Sequence, residues 1–261
     1  LYIWNKGKGK NHKNRGVFSM DEKELKLRKL LIEGASGFGV NLDDEQIDKF
    51  FAYKDVLKEW NQKMNLTAIE DDEEIILKHF IDSISICPII KDKNLALIDV
   101  GTGAGFPGIP VKIVFPELKV KLLDSLEKRT KFLNEVIERL DLKDISTVHA
   151  RAEEKGVDPD YREKYDISVA RAVASLPVLL EYCLPFVKVG GCFIAMKGNS
   201  TEEVENSKKA LEILGGKIED ILEFNLPFSD IKRNVIVIKK FRQTPTKYPR
   251  KSGKPSKNPL T

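Results

Sequence analysis

Cysteine is scarce here. Among 261 residues only Cys87, Cys183 and Cys192 occur, odd in number and widely spaced. That excludes a disulfide framework and suits a reducing compartment; burial as small hydrophobes is the expected role of all three. Long apolar runs are missing too. None approaches the ~20 residues of a membrane-crossing helix, and the first residues lack the apolar segment of about 7–15 residues that marks a secretory signal. The expectation is a cytoplasmic protein without membrane attachment. Histidine is limited to His12, His79 and His149. His79 has no second His or Cys at ligand spacing, so no metal site is expected and its role is read as structural.

Acidic residues are missing from both ends. Residues 1–19 hold five Lys and Arg and residues 239–261 hold eight, with no Asp or Glu in either. The body, 20–238, holds 31 basic and 40 acidic residues, so the formal net charge of +4 conceals a negative body with two positive ends. Such ends bind nucleic acid or are simply solvated. Residues 1–19 do not start with Met, and Met20 opens a helical pattern directly. They are expected to be an upstream extension rather than an RNA-binding arm, and are set aside from the fold argument.

The length suits one large domain, or one domain plus a small one. From Asp21 to Lys78 the spacing is helical: Leu25, Leu27, Leu30, Leu31 and Ile32 on one apolar face, then Ile47, Phe50, Phe51, Lys54, Leu57 and Trp60. Trp60–Thr67 suits a turn, and a helix restarts at Glu73 and continues through His79–Ser83. From Leu95 strands alternate with helices, the pattern of a mostly parallel sheet. Strands are expected at 95–100, 119–124, 145–149, 165–170 and 192–196, with helices around 107–115, 128–140 and 177–187. An amphipathic helix 201–214 should stop at Gly215-Gly216, and 217–226 with 234–240 should form an antiparallel pair. The organisation expected is a helical region over 20–90, an α/β domain over 91–240 and a basic tail over 241–261. Its Pro and Lys content reads as extended or disordered, with Tyr248 a stacking ring among Lys247, Arg250 and Lys251, as single-strand binders use.

The centre of the chain is Leu97-Ile-Asp-Val-Gly-Thr-Gly-Ala-Gly-Phe-Pro-Gly108. An apolar strand runs into a glycine turn, where Gly101, Gly103 and Gly105 let backbone approach a ligand closely. Asp99 sits at the carboxyl end of the strand, where ligands of open α/β sheets bind. The dinucleotide pattern G-x-G-x-x-G fails, because Phe106 stands at its third glycine. Asp-x-Gly-x-Gly-x-Gly looks instead like the S-adenosylmethionine loop of Rossmann-like methyltransferases. Asp124 closes the second strand 23 positions after Gly101, where an acid takes ribose hydroxyls.

The chemistry is narrowed by what the fourth strand lacks. The stretch Ser168–Pro177 holds no Asn/Asp-Pro-Pro-aromatic clamp for an amino acceptor and no cysteine nucleophile for a pyrimidine carbon. A ring nitrogen with a free lone pair needs neither; it must only be held in line with the methyl group away from water.

Asp-Val-Gly-Thr-Gly-Ala-Gly-Phe-Pro-Gly (99–108), Leu-Asp-Ser-Leu-x-Lys-Arg (123–129), Arg-Ala-Glu (151–153), Ala-Arg-Ala-Val-Ala (170–174), Met-Lys-Gly (196–198) and Tyr-Pro-Arg-Lys-x-Gly (248–253) resemble the RsmG methyltransferases, also called glucose-inhibited division protein B. Trp-Asn-x-Lys-x-Asn-Leu-Thr (60–67) and Lys-His-Phe-x-Asp-Ser (78–83) match as well. The resemblance spans about 20–260. It implies a Rossmann-like methyltransferase fold with a small N-terminal helical segment. It also implies a bacterial enzyme that methylates N7 of a guanine in the 530 loop of 16S rRNA, with S-adenosylmethionine as donor. The acceptor would be 16S rRNA or the small ribosomal subunit, and the enzyme is expected to be a monomer. Gly101, Phe106, Ala152, Glu153 and Arg171 carry over as cofactor contacts, joined by Asp99, Gly103, Gly105, Asp124 and Ser125. Arg171 and Lys197 are candidates for the catalytic centre. Lys128, Arg129, Lys197, Tyr248, Arg250 and Lys251 are candidate RNA contacts. Two other readings stay open: an RNA-binding module that keeps the cofactor without catalysis, and a small-molecule methyltransferase.

Overall fold

The computed structural model describes residues 21–198 and 201–261; residues 1–19, with the extension assigned to them, lie outside. The N-terminal part is helical. α1 (Glu22–Ser36) starts on the side chain of Asp21, and α2 (Asp44–Asn61) starts on a capping box between Asp43 and Gln46. The Gln46 amide also donates to the carbonyls of Ile113 and Val114, satisfying the end of a helix far along the chain. α3 (Asp72–Ile75) runs through a π-helical stretch, Ile76–Ile81, into α4 (Asp82–Ile84).

Among the described residues seven strands form one sheet: β1 (Ala96–Val100), β2 (Lys119–Asp124), β3 (Ile145–His149), β4 (Tyr165–Arg171), β5 (Val187–Lys197), β6 (Gly216–Asn225) and β7 (Lys232–Lys240). Their order is β3-β2-β1-β4-β5-β7-β6. The first five pair in parallel and β7 runs antiparallel to both neighbours. The intervening helices are α5 (Gly108–Val114), α6 (Glu127–Arg139), α7 (Ala152–Lys155), α8 (Leu176–Cys183), α9 (Thr201–Glu205) and α10 (Lys208–Leu214). α10 stops at Gly215 in the left-handed conformation, as Gly215-Gly216 led us to expect.

Strand side chains alternate between two cores. Leu97, Ile167, Val169 and Ile194 face α2, α5, α6 and the N-terminal helices. Ile98, Val100, Ala170 and Phe193 face α8 and α10. Three expectations are corrected. The helix expected over 201–214 is two, divided at Asn206-Ser207, where the Ser207 hydroxyl donates back to the Glu203 carbonyl. Leu25 and Ile32, expected on the apolar face of the first helix, are exposed at 49% and 42%. The tail 241–261 is an ordered strap that ends in α11 (Lys254–Lys257).

The strap is fixed by partners distant in sequence. The Arg162 guanidinium donates to the carbonyls of Thr244, Tyr248 and Gly156. Lys240, fully buried, donates to Glu163 and to the Leu184 carbonyl, and burial lowers its pKa. Composition alone hides such anchors, because every one lies outside the tail.

Candidate active site

The carboxyl ends of β1, β2 and β4 meet around the glycine loop. Gly101 and Gly105 adopt φ of +72° and +94°, which side-chain-bearing residues rarely adopt. A Cβ at Gly101 would lie 2.8 Å from the Val173 side chain, and one at Gly105 would lie 2.6 Å from the Tyr53 hydroxyl. The loop is held from inside by Asp99, whose Oδ2 accepts from the Thr102 hydroxyl at 2.7 Å and the Gly108 amide at 2.8 Å. Its Oδ1 is buried without a partner. Burial pushes the Asp99 pKa up to about 6, against the two hydrogen bonds. Tyr53 of α2 donates to the Ala104 carbonyl and pins the outer turn.

Asp124 holds the loop from the neighbouring strand. Its Oδ2 accepts from the Gly103 amide at 2.9 Å and from Arg129 at 3.3 Å, and its Oδ1 accepts from the Leu126 amide. No Cβ neighbour lies within 4 Å of Gly103, so the space over that turn is open.

A cleft of about 260 Å³ opens here, lined by Gly101, Asp124, Ser125, Ala152 and Glu153 among others. Five of the expected cofactor residues thus come together. Val173, Tyr182, Gly253 and Ser256 also line it, and sequence reasoning missed them. The Tyr-Pro-Arg-Lys-x-Gly motif was the available signal, since its glycine is Gly253. Glu153 accepts from the Gly253 amide at 3.0 Å, and Tyr182 and Ser256 share a hydroxyl–hydroxyl hydrogen bond of 2.8 Å.

The other expected cofactor residues lie elsewhere. Asp99, Gly103 and Gly105 build the loop rather than the cleft lining. Phe106 is buried in an aromatic group, stacked on His79 at 4.4 Å and on Tyr53 at 5.3 Å. Arg171 turns away from the cleft. Its guanidinium donates to the Lys78 carbonyl, Asp82 and His79 Nδ1, and lies 5.0 Å from the Phe106 ring centre. With Nδ1 accepting, His79 Nε2 carries the proton towards the Thr67 hydroxyl, 2.9 Å away. Burial and then the Arg171 charge lower the His79 pKa to about 3, so the ring is neutral. The π-helical stretch and the first residue of α4 carry Lys78, His79 and Asp82, the partners of Arg171.

This network floors a second cavity of about 330 Å³, lined by Lys78, His79, Arg171, Met196, Lys197 and Arg233 among others. Arg171 and Ala172 line this cavity and Val173 and Ala174 line the cleft, so the turn after β4 borders both. Asp82 takes Arg171 on one oxygen and Arg233 on the other, at 3.0 and 2.9 Å. Lys197 donates to the Ala174 carbonyl and pairs with Glu203 at 2.8 Å.

Two expected RNA contacts are corrected. Tyr248 is 8% exposed, so its ring is not open for stacking. Arg250 is turned inward onto buried Glu181, because that carboxylate requires a counter-charge. Lys128 and Lys251 are exposed, and Arg129 is half-buried beside Asp124. Cys87 and Cys183 are buried, and Cys192, on the interior strand β5, lines a separate hollow with Leu95 and Asp166, its thiol pushed up by burial to about 11. Among the described residues no His, Cys, Asp and Glu cluster could hold a metal ion, and no helix is long and apolar enough to cross a membrane.

The family model described as rRNA small subunit methyltransferase G matches residues 46–235. A Ribosomal RNA small subunit methyltransferase G of Alkaliphilus metalliredigens is 54% identical over 239 residues, covering 90% of this chain and 100% of that protein. Its namesake from Clostridium botulinum is 55% identical over 227 residues, covering 85% and 94%. Among solved structures, a ribosomal protein L11 methylase from Lactobacillus delbrueckii subsp. bulgaricus superposes with a TM-score of 0.50 at 17% identity, over 63% of this chain and 79% of that one. This last likeness concerns the fold alone.

Proposed function

The chain belongs to the rRNA small subunit methyltransferase G family, and from that premise we propose that it methylates N7 of a guanine in the 530 loop of 16S rRNA, in the bacterial cytoplasm and as a monomer. S-adenosylmethionine is the donor, supplying an activated methyl group. The cleft suits it chemically: Asp124 and Glu153 offer carboxylate oxygens for ribose hydroxyls and the adenine edge, and Val100, Leu123 and Val173 offer apolar wall. Gly101 and the open space over Gly103 leave room for the amino-acid end.

The observation that carries the reading is the adjacency of two cavities of different character across the 171–174 turn. One is walled by Asp124, Glu153, Arg151 and apolar groups; the other has Lys78, Arg171, Lys197 and Arg233 against the single carboxylate of Asp82. The cationic cavity suits an acceptor nucleotide, its phosphates against the guanidinium groups. Neither cavity offers a cysteine nucleophile, and His79 is neutral with its Nδ1 engaged by Arg171. Guanine N7 needs no proton removed before attack. The residues therefore orient the base and exclude water. Lys128, Arg129 and Lys197 are assigned to RNA phosphates on the approach to this edge.

Incubation with labelled S-adenosylmethionine tests the reading, using small subunits and naked 16S rRNA that lack the modification. Label in either RNA supports it and tells the acceptor form. Donor binding without label in either would direct attention to a small-molecule acceptor, or to a module that binds without reacting.

A further inference from the structure

The strap 241–261 has two faces of different chemistry. Its inner face belongs to the donor cleft: Gly253 and Ser256 line it, the Gly253 amide orients the Glu153 carboxylate, and Ser256 bonds Tyr182. Arg250 holds this face down on Glu181. Lys251, Lys254 and Lys257 are exposed and take no part in the cleft lining; they make up the outer face. Among the described residues none of the three pairs with a carboxylate. If the strap lifts, the cleft loses one wall and Glu153 loses its donor.

We propose that the strap is a clasp: an RNA phosphate backbone grips Lys251, Lys254 and Lys257 from outside and thereby holds the inner face closed over the donor, so that RNA and donor bind with positive coupling. This rests on the reading of the chain as an RNA methyltransferase. Flexible lysines without an apolar anchor among them suit a line of phosphates better than a protein surface, which presents buried aromatic or aliphatic hot spots. Linkage makes the coupling reciprocal: RNA tightens donor binding by the same factor as donor tightens RNA binding.

The test compares the full chain with its Lys251→Ala/Lys254→Ala/Lys257→Ala variant. Anisotropy of a fluorescent RNA carrying the 530 loop is read across a salt series. Calorimetry of S-adenosylhomocysteine is run with and without that RNA. In the wild type, RNA should tighten S-adenosylhomocysteine by about tenfold, a common size of coupling, and the factor should shrink as salt rises. In the variant, affinity for S-adenosylhomocysteine alone should be unchanged. The slope of log affinity against log salt should flatten by about 2, the sum of three contacts at ~0.7 each, and the coupling factor should approach one. An unchanged salt slope overturns the proposal. So does an S-adenosylhomocysteine affinity in the wild type that RNA leaves unaltered, or polyglutamate binding the strap as tightly as RNA. Intact RNA binding and coupling with no methyl transfer to any RNA would support the clasp while removing the methyltransferase reading.

Discussion

The Arg250 guanidinium grips both carboxylate oxygens of Glu181, at 2.6–3.1 Å, and Glu181 exposes none of its surface. The Arg250 backbone amide adds a third donor at 2.8 Å. Arg250→Ala leaves a buried carboxylate short of its counter-charge, a loss of about 3–5 kcal/mol by analogy with other broken buried pairs. Chemical unfolding should show it, together with faster proteolysis within 241–261 and weaker S-adenosylhomocysteine binding. Wild-type stability and wild-type donor affinity in this variant would mean that the strap does not depend on the pair.

Gly101→Asp should abolish donor binding. The new Cβ collides with Val173 in a backbone conformation suited to glycine, and its carboxylate adds charge to a cleft that Asp124 and Glu153 already line. Calorimetry with S-adenosylmethionine reads the loss. Undiminished affinity would overturn the assignment of the glycine loop to the donor.

Arg171→Lys separates the two cavities. Lysine cannot reproduce the planar fork that reaches the Lys78 carbonyl, Asp82 and His79 together. Because Arg171 lies outside the donor cleft, S-adenosylhomocysteine affinity should change little, while kcat/KM for the RNA acceptor falls about tenfold or more, as when one charged hydrogen bond is lost. Equal losses in both would place Arg171 at the donor, as the sequence motif led us to expect.

Asp99 makes the stability of the loop depend on pH. Its pKa rises from 3.8 unfolded to about 6 folded, so the folded state binds more protons in that window. The contribution of this group to stability is therefore largest below pH 4 and falls as pH rises towards 6, by about 3 kcal/mol in all. Asp99→Asn removes the titration. Subtracting its unfolding free energy from that of the wild type should give a difference that declines across pH 4–6, and a flat difference would show that Asp99 does not titrate there.

The sheet was legible where strands are short apolar runs bounded by turn residues; β5, expected at 192–196, starts five residues earlier, where Lys188, Gly190 and Gly191 hide its first half. The spans expected at 119–124 and 145–149 are those found, and β1 and β4 differ from expectation by one residue at one end. The site was legible only where one segment supplies it, as the glycine loop and Asp124 do. The π-helical stretch escaped because Ile75, Ile76, Phe80 and Ile81 fit an ordinary helical repeat equally well. The wider turn shows only in the backbone of Ile76–Ile81. The strap escaped because Tyr248, Pro249 and Pro255 are too few to look like core, and its order comes from Arg162, Glu163 and Glu181 far upstream. Arg250 was read as an RNA contact for the same reason, its partner being 69 residues away.

Mapping the methylated atom tests the central claim most directly. Small-subunit RNA lacking the modification is incubated with the protein and S-adenosylmethionine, reduced with borohydride and treated with aniline, which breaks the chain at 7-methylguanosine. Scission at a single guanine in the 530 loop, dependent on both protein and donor, is the result expected. Methyl incorporation without scission, or scission elsewhere, would contradict the assignment of guanine N7 in that loop.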